Sequence, residues 1–378
     1  MTRSVKSFKT RTYVERIHPT RRSNMNNTFI ITDFGAKGDG ITDCTSAIQT
    51  ALDKASDCMG SVIVPPGRYS VGKLRMHGRA VSLVGTPAWS FGSDGASIFT
   101  LNDNTVDCML DISGAFGCTI KGMCLDGNHC MGNGIHGIKL YWEKYNGGSE
   151  EDTPTVDECR VGNFSGDGLH FEHVWCFSVR HSMIHRNKGA GLYIDGWDAF
   201  ILDNWFSANL GGGIMGGPVV ASITCTGNRV EWNHRGGFIL PNGDSYNITG
   251  NFFDRSFGPA LEIGGNSTSV RMVTVTGNIF RRSGARRENS PLLPQEMSCH
   301  LNMQRCTGAV VSGNSARVGT DDGGVGVVTP DYGFIVTDCT ECIIKDNALA
   351  SASLVENMVL NGDNSTCIIR DNIGTIQK

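Results

Sequence analysis

Two pairs of carboxylates in this sequence are placed where they could share one reacting bond. Glu231 and Asp254 each stand three residues after an asparagine, in Gly227-Asn228 and Gly250-Asn251. Glu172 and Asp195 each stand four residues after a glycine, in Gly166-Asp167-Gly168 and Gly189-Ala190-Gly191. If the two members of a pair lie on adjacent chain passes they are ~5 Å apart, the separation of the carboxylates in a retaining glycosidase. Their mutual repulsion would raise one pKa and produce an acid beside a base. The first pair is accompanied by Trp205 and Trp232, which could stack on sugar faces. Arg229, Arg255 and Arg281 could hold acidic or hydroxyl groups there, and His185 heads the same column. The second pair is accompanied by His170, Tyr193 and Trp197, and Glu262 stands further along the His170–Tyr193 column, where it could serve either pair. The plainer alternative for both rows is a ladder of ordinary outward-facing polar residues.

These alignments rest on an internal repeat. Ile201-Leu202-Asp203-Asn204, Cys225-Thr226-Gly227-Asn228, Ile248-Thr249-Gly250-Asn251, Val275-Thr276-Gly277-Asn278, Val311-Ser312-Gly313-Asn314, Ile344-Lys345-Asp346-Asn347 and Ile369-Arg370-Asp371-Asn372 share one pattern. Each is an apolar residue, two small or polar residues, then Asn. A Gly-x-Gly or Gly-Gly element with alternating apolar residues follows in several copies, as in Gly189-Ala190-Gly191-Leu192 and Gly211-Gly212-Gly213-Ile214. A period of ~22–25 residues built from short strands is one coil of a parallel β-helix. The leucine pattern of a leucine-rich repeat is absent, and propeller blades need longer repeats with Trp-Asp signatures. Asn and Gly are expected at the coil corners, because they tolerate positive φ. About ten coils would fill residues ~80–378, forming one all-β domain over 29–378 with its cap in 29–80.

Composition agrees. The chain has 378 residues, 39% hydrophobic and 19% charged, with 49 glycines. So much glycine argues against a helical bundle, since each glycine inside a helix costs ~1 kcal/mol. The net charge of −4 argues against a general nucleic-acid binder. Residues 1–24 carry seven basic residues and one acid. They are expected to form a flexible basic extension over 1–28, with an organelle transit peptide or an upstream start as alternatives. No apolar run approaches the ~18 residues of a membrane span, so no membrane partner is expected. The 14 cysteines are read as small reduced core residues. Cys339 and Cys342 form a lone CxxC, and His129 and His136 lie near Cys124 and Cys130 without tetrahedral spacing. No metal and no cofactor is therefore expected. The expected location is cytoplasmic, with a virion-associated protein as the alternative.

The segment Asp33-Phe34-Gly35-Ala36-Lys37-Gly38-Asp39-Gly40-Ile41-Thr42-Asp43, followed by Thr45–Leu52 and by Gly60-Ser61-Val62-Ile63-Val64-Pro65-Pro66-Gly67-Arg68-Tyr69, closely resembles the opening of the pectate-lyase-like right-handed β-helix superfamily. That group includes polygalacturonases, alginate epimerases, inulin fructotransferases and phage tailspike depolymerases. The resemblance implies a single-stranded right-handed parallel β-helix whose helix 45–57 caps the open end, with Thr42 or Asp43 at its N-terminus. Cys44 departs from it, because members often carry a second Asp there. The segment is structural, so it identifies the fold and says little about chemistry. The polygalacturonase signatures and the Asp-Pro-His of the alginate epimerases are missing, although Asp321-Asp322 is an Asp pair in a Gly-rich loop.

The expectation that follows is a carbohydrate-active enzyme cleaving or transferring glycosidic bonds of a poly- or oligosaccharide. A polysaccharide lyase or epimerase is the alternative, in which His185, Arg229 and Arg255 outweigh the acids. A non-catalytic, tailspike-like glycan binder is a third. By resemblance alone the chain could also be a homotrimer with a site between subunits. Long excursions at Glu143–Pro154, Gly284–Pro291 and Gly319–Pro330 are expected to wall a binding site, with Arg281, Arg282, Arg286 and Arg287 attracting an anionic glycan.

Overall fold

Each repeat folds as one coil of a parallel β-helix. The computed structural model describes residues 27–92, 95–142, 152–265, 268–284, 294–318 and 329–375. The basic leader, Arg286, Arg287, Asp321-Asp322 and most of the three excursions lie outside the described residues. Among the described residues one sheet contains 22 strands and a second contains 12 short ones, and every pairing among these strands is parallel.

The coil from Met183 to Asn204 represents the rest. Met183–His185 is a short strand of the 12-stranded sheet, and Ala190–Leu202 is a long strand of the 22-stranded sheet. Trp205–Ser207 then opens the next coil directly beside Met183–His185. The long strands bend midway. In Leu169–Arg180 the register shifts between Glu172 and Val174, and in Ala190–Leu202 the next pairing shifts between Ile194 and Gly196. At the second bend Gly196 has φ +155, and a Cβ there would lie 2.1 Å from the Val174 carbonyl oxygen, so no side chain fits. Each long strand therefore has two limbs on two faces of the solenoid, and the short sheet forms the third face.

The asparagines of the repeat form a hydrogen-bonded ladder at the corner between the second limb and the short sheet. The Oδ1 of each Asn accepts the backbone N–H and the Nδ2 of the asparagine one coil earlier, through Asn204, Asn228, Asn251, Asn278, Asn314, Asn347 and Asn372. Each Nδ2 also donates to a carbonyl in the coil before, as Asn251 does to Cys225. All seven are buried, and the ladder satisfies polar groups that would otherwise destabilise the core. A second ladder, Asn187–Asn209–Asn233, follows the short strands. The corner conformations differ from expectation. The asparagines are not the positive-φ residues. That conformation falls on the residue before each, including Asp203, Gly227 and Gly250, and on a column of non-glycine residues, Arg186, Ala208, Trp232, Arg255 and Arg282. Tertiary hydrogen bonding outweighs the local strain of ~1–2 kcal/mol per residue.

Inward residues stack in columns. Phe206, Val230, Phe253 and Phe280 are register partners, with Phe253 and Phe280 stacked at 5.2 Å. The helix Thr45–Cys58 buries Ile48, Ala51, Leu52 and Ala55 over the open end, at the spacing of one helical face. Cys44, not Thr42 or Asp43, occupies the position before this helix. It makes no capping bond, while Asp43 Oδ1 accepts the Thr45 N–H at 3.0 Å. All 14 cysteines are free thiols. Cys339 and Cys342 are buried and donate to backbone carbonyls. Among the described residues no helix is long and apolar enough to cross a membrane.

Candidate functional site

The first limb of the long strands alternates inward and outward. In Leu169-His170-Phe171-Glu172 the first and third residues are buried and the second and fourth point outward. In Leu192-Tyr193-Ile194-Asp195 the strand runs in the same register, with Asp195 only 7% exposed, and this sets His170 beside Tyr193 and Glu172 beside Asp195. The two acids are therefore one coil apart, a strand spacing of ~4.8 Å. Upstream in the His170 column lies Lys139, and before that Asp111.

A tight polar cluster surrounds this pair. His170 is clamped by two carboxylates, Nδ1 at 2.6 Å from Asp167 and Nε2 at 2.8 Å from Glu172. Burial opposes charging of the ring, yet the Asp167 and Glu172 hydrogen bonds outweigh it and hold His170 above its ordinary pKa. Its ring stacks on Tyr193 on one side, with centroids 4.7 Å apart, and on His136 on the other, at 4.1 Å. His136 behaves oppositely. Burial and the neighbouring His170 push it down to about 4, and its Nδ1 accepts the Asp167 N–H at 3.0 Å, so it is the neutral partner. Tyr193 is raised by burial and by the charges of Asp195, Glu172 and Asp167. Asp195 accepts the Val219 N–H at 3.0 Å, and His173 Nε2 stands 3.8 Å from its other oxygen. Gly217 keeps the space clear: a Cβ there would sit 2.6 Å from Tyr193 Oη. Lys73 and Lys139 bracket Asp107 at 2.7 and 3.0 Å. Burial works against them, but they hold that carboxyl well below its usual range.

His136, Asp167 and His170 are the one group of three potential metal ligands among the described residues. Their donors are already used, since both His170 nitrogens face carboxylates and His136 Nδ1 faces an N–H. The two imidazoles are nearly parallel, 29° apart, so their in-plane lone pairs do not converge. The trio fits proton holding better than metal ligation.

The family model for rhamnogalacturonase A/epimerase, pectate lyase-like proteins matches residues 28–238, more than half of the chain. The chain belongs to that family. Among solved structures, the A-module of mannuronan C-5 epimerase AlgE4 from Azotobacter vinelandii superposes with a TM-score of 0.56 at 18% identity, over 90% of this chain and 99% of that one. The DFA-IIIase of Arthrobacter chlorophenolicus A6 gives 0.62 at 15% identity, over 90% and 87%. Its complex with GF2 gives 0.62 at 16%, over 92% and 93%. At these identities the likeness is one of fold, the right-handed parallel β-helix.

In this pectate lyase-like chain the Glu231–Asp254 row has the expected register, Ser207–Glu231–Asp254–Arg281, but not the expected surroundings. The pair is buried rather than free on the outer face. Glu231 is 5% exposed and accepts from Trp205 Nε1 at 2.8 Å and from Arg229 at 2.9 Å. Asp254 is 2% exposed and is gripped by Arg282 through bonds of 2.9 and 2.7 Å, with Arg255 as a further partner. Arg282, at 1% exposure, is wholly buried. The arginines expected to hold a glycan are thus occupied: Arg229 also lies over Phe252, and Arg255 over Trp232. His185 does not face solvent either. Burial and the nearby Arg160 and Arg186 push it down to about 4, and Phe91 covers its ring at 5.2 Å. Arg281 is half-buried and lines a separate groove with Phe252, Ile279 and Arg317.

Glu262 is in the His170 column but three coils beyond Tyr193, through Met215 and Ile239. It pairs with Arg235 at 2.9 Å, so it joins neither pair. Trp197 is half-buried at the bend, in register with Trp175. His136, Lys139, Asp167 and His173 were not singled out for this site from the sequence. The asparagine column fades before residue 182, so the strand His136–Tyr141 offered no alignment mark. Continuing the Gly-x-Gly register one coil upstream, to Gly134–Gly137, would have reached His136 and Lys139.

Proposed function

We propose that this protein is a carbohydrate-active enzyme that cleaves or transfers glycosidic bonds of a poly- or oligosaccharide lying along the first-limb face. The observation that carries this reading is the Glu172–Asp195 register pair, with His170 fixed beside it. Its one-coil separation suits a nucleophile and an acid/base acting on one anomeric centre. Glu172 accepts from His170 Nε2 at 2.8 Å and is the more exposed of the two acids, and it is assigned as the nucleophile. Asp195, less exposed and accepting the Val219 N–H, is assigned to protonate the leaving oxygen and then to activate the second substrate. The AlgE4 and DFA-IIIase likenesses support a glycan substrate without choosing between reactions.

The stacked His170–Tyr193 pair favours one second reading, an epimerase or lyase on a uronate. In it the Tyr193 phenol would exchange the C5 proton, and Lys139, next to His170 in register, would face the carboxylate.

Digestion of neutral fructans and glucans beside uronate polymers tests both. New reducing ends, or a cyclic product of equal mass, support the carboxylate mechanism. Ultraviolet absorbance from an unsaturated uronide, or deuterium uptake at C5 in heavy water, sinks it and favours the second reading. No change in any glycan of a broad panel refutes enzyme activity on this face.

A further inference from the structure

A second cleft lies on a different corner of the solenoid, between the second limb and the short sheet. It encloses about 510 Å³ and is lined by Pro87, Ala88 and Trp89 on one wall and by Glu158, His181 and Asp203 on the other. That volume is in the usual range for small-ligand pockets. The whole second limb, Phe177–Arg180 in one coil, separates it from Glu172 and Asp195.

The polar wall is periodic. Glu158, His181 and Asp203 hold the same positive-φ corner position in three successive coils, each just before its strand or asparagine. They are therefore spaced by the coil repeat of ~4.8 Å. All three side chains reach solvent, at 43%, 52% and 62% exposure. His181 Nδ1 bonds Asp157 at 2.9 Å, and its Nε2 stands 3.8 Å from Asp203.

The apolar wall is held rigid. The buried Arg160 donates from Nη1 to the carbonyls of Ser90 and Gly92 at 2.8 and 2.6 Å. Ser97 Oγ accepts the Thr86 N–H at 2.8 Å, and Arg186 lies over Phe91. Trp89 leans on Trp205, with centroids 6.4 Å apart, yet is 55% exposed. An exposed indole fixed from behind is a stacking platform that loses little entropy on binding.

We propose that this cleft is a non-catalytic glycan-binding site taking a neutral sugar ring. The ring stacks on Trp89, and its hydroxyls bond Glu158, His181 and Asp203. Carboxylates accept two adjacent hydroxyls, and Glu158 and Asp203, two coils apart with His181 between them, line the cleft along the solenoid axis. Charge selects the neutral class. The three acids Asp157, Glu158 and Asp203 are only partly offset by Lys121, which pairs with Asp157 at 3.6 Å and with Glu158 at 3.5 Å, and by Arg180, which pairs with Asp157 at 3.5 Å. A uronate would meet two outward carboxylates. The site stands independently of the Glu172–Asp195 pair and would tether a polymer while another stretch of it reacts.

Calorimetric titration of the full chain and of its Glu172→Gln variant tests this, with cellohexaose, maltohexaose, an inulin-type fructan hexamer and hexagalacturonate as probes. At least one neutral hexamer should bind, more tightly than hexagalacturonate. Trp89→Ala should weaken that binding tenfold or more, Trp89→Tyr by only a few-fold, and Glu172→Gln not at all. Trp89 is largely exposed, so Trp89→Ala should melt as the parent does. If that variant fails to fold, Asp203→Asn and Trp89→Tyr carry the comparison. Failure of every neutral hexamer to bind at millimolar concentration overturns the proposal, as does binding unchanged by Trp89→Ala or tighter for hexagalacturonate. Binding lost in Glu172→Gln and kept in Trp89→Ala places the glycan on the first-limb face, which overturns this site and leaves the catalytic reading intact.

Discussion

His170 lies flat against Tyr193 one coil further on, with ring centroids 4.7 Å apart and planes only 9° from parallel. The stack places an imidazole and a phenol beside Glu172 and Asp195, and it exists only because the two strands pair without a register slip before Glu172. A slip of one residue would turn all four side chains into the core.

Glu172→Gln and Asp195→Asn should each reduce turnover by about 10²- to 10⁴-fold, the usual contribution of one acid/base group. Circular dichroism should be unchanged, because both residues sit outside the apolar columns. Steady-state rates on whichever glycan is turned over provide the check. A loss below threefold in both variants would remove this pair from the chemistry.

The pH dependence follows from His170. Its folded-state pKa lies above the ordinary 6.5, so its contribution to stability is complete below about 6.5 and is lost as pH rises through the raised value. The difference in Tm between the parent protein and His170→Gln should be largest in mildly acidic buffer and shrink toward alkaline pH. His136 acts in the opposite sense. It is held down to about 4, so the fold loses stability as pH falls from about 6.5 toward that value. A Tm difference for His170→Gln that grows with pH would contradict the clamp.

Asp254 and Arg282 separate structure from catalysis on the short sheet. Arg282→Met should destabilise by about 3–5 kcal/mol, because it leaves a buried carboxylate without its main partner. Chemical denaturation measures this directly. Asp254→Asn should also lower Tm. An Asp254→Asn variant as stable as the parent but inactive would restore this row to the active site.

The asparagine ladder predicts its own cost. Asn251→Ala removes the acceptor for the Asn228 N–H and Nδ2 and the donors to Cys225 and Asn278. Stability should fall by on the order of 3 kcal/mol, since several buried groups lose partners. Asn247→Ala, at an exposed position four residues earlier, should change it by less than about 0.5 kcal/mol. Equal Tm values for the two variants would refute the ladder.

The coil repeat, the opening segment before Tyr69 and the column registers were all legible in the chain. An asparagine every coil and alternating apolar residues impose a period that few architectures satisfy. Even the Glu231–Asp254 and Glu172–Asp195 adjacencies follow from counting along those columns. What counting could not supply is the third dimension around each column. Glu231 and Asp254 have the same one-dimensional signature as Glu172 and Asp195. Arg282 folds back on Asp254 from a left-handed corner, and Trp205 and Arg229 close over Glu231. His170, by contrast, is clamped by Asp167 from within its own strand entry and by Glu172, which stays partly exposed.

The sequence by itself determined the solenoid, its capped end and the rows of side chains that stack along it, because period and register are properties of spacing. Only the tertiary structure decided which partners surround each row. Solvent access and hydrogen-bond partners depend on side chains reaching across coils and on the 85–92 segment folding over the short sheet, and these are contacts between residues far apart in the chain.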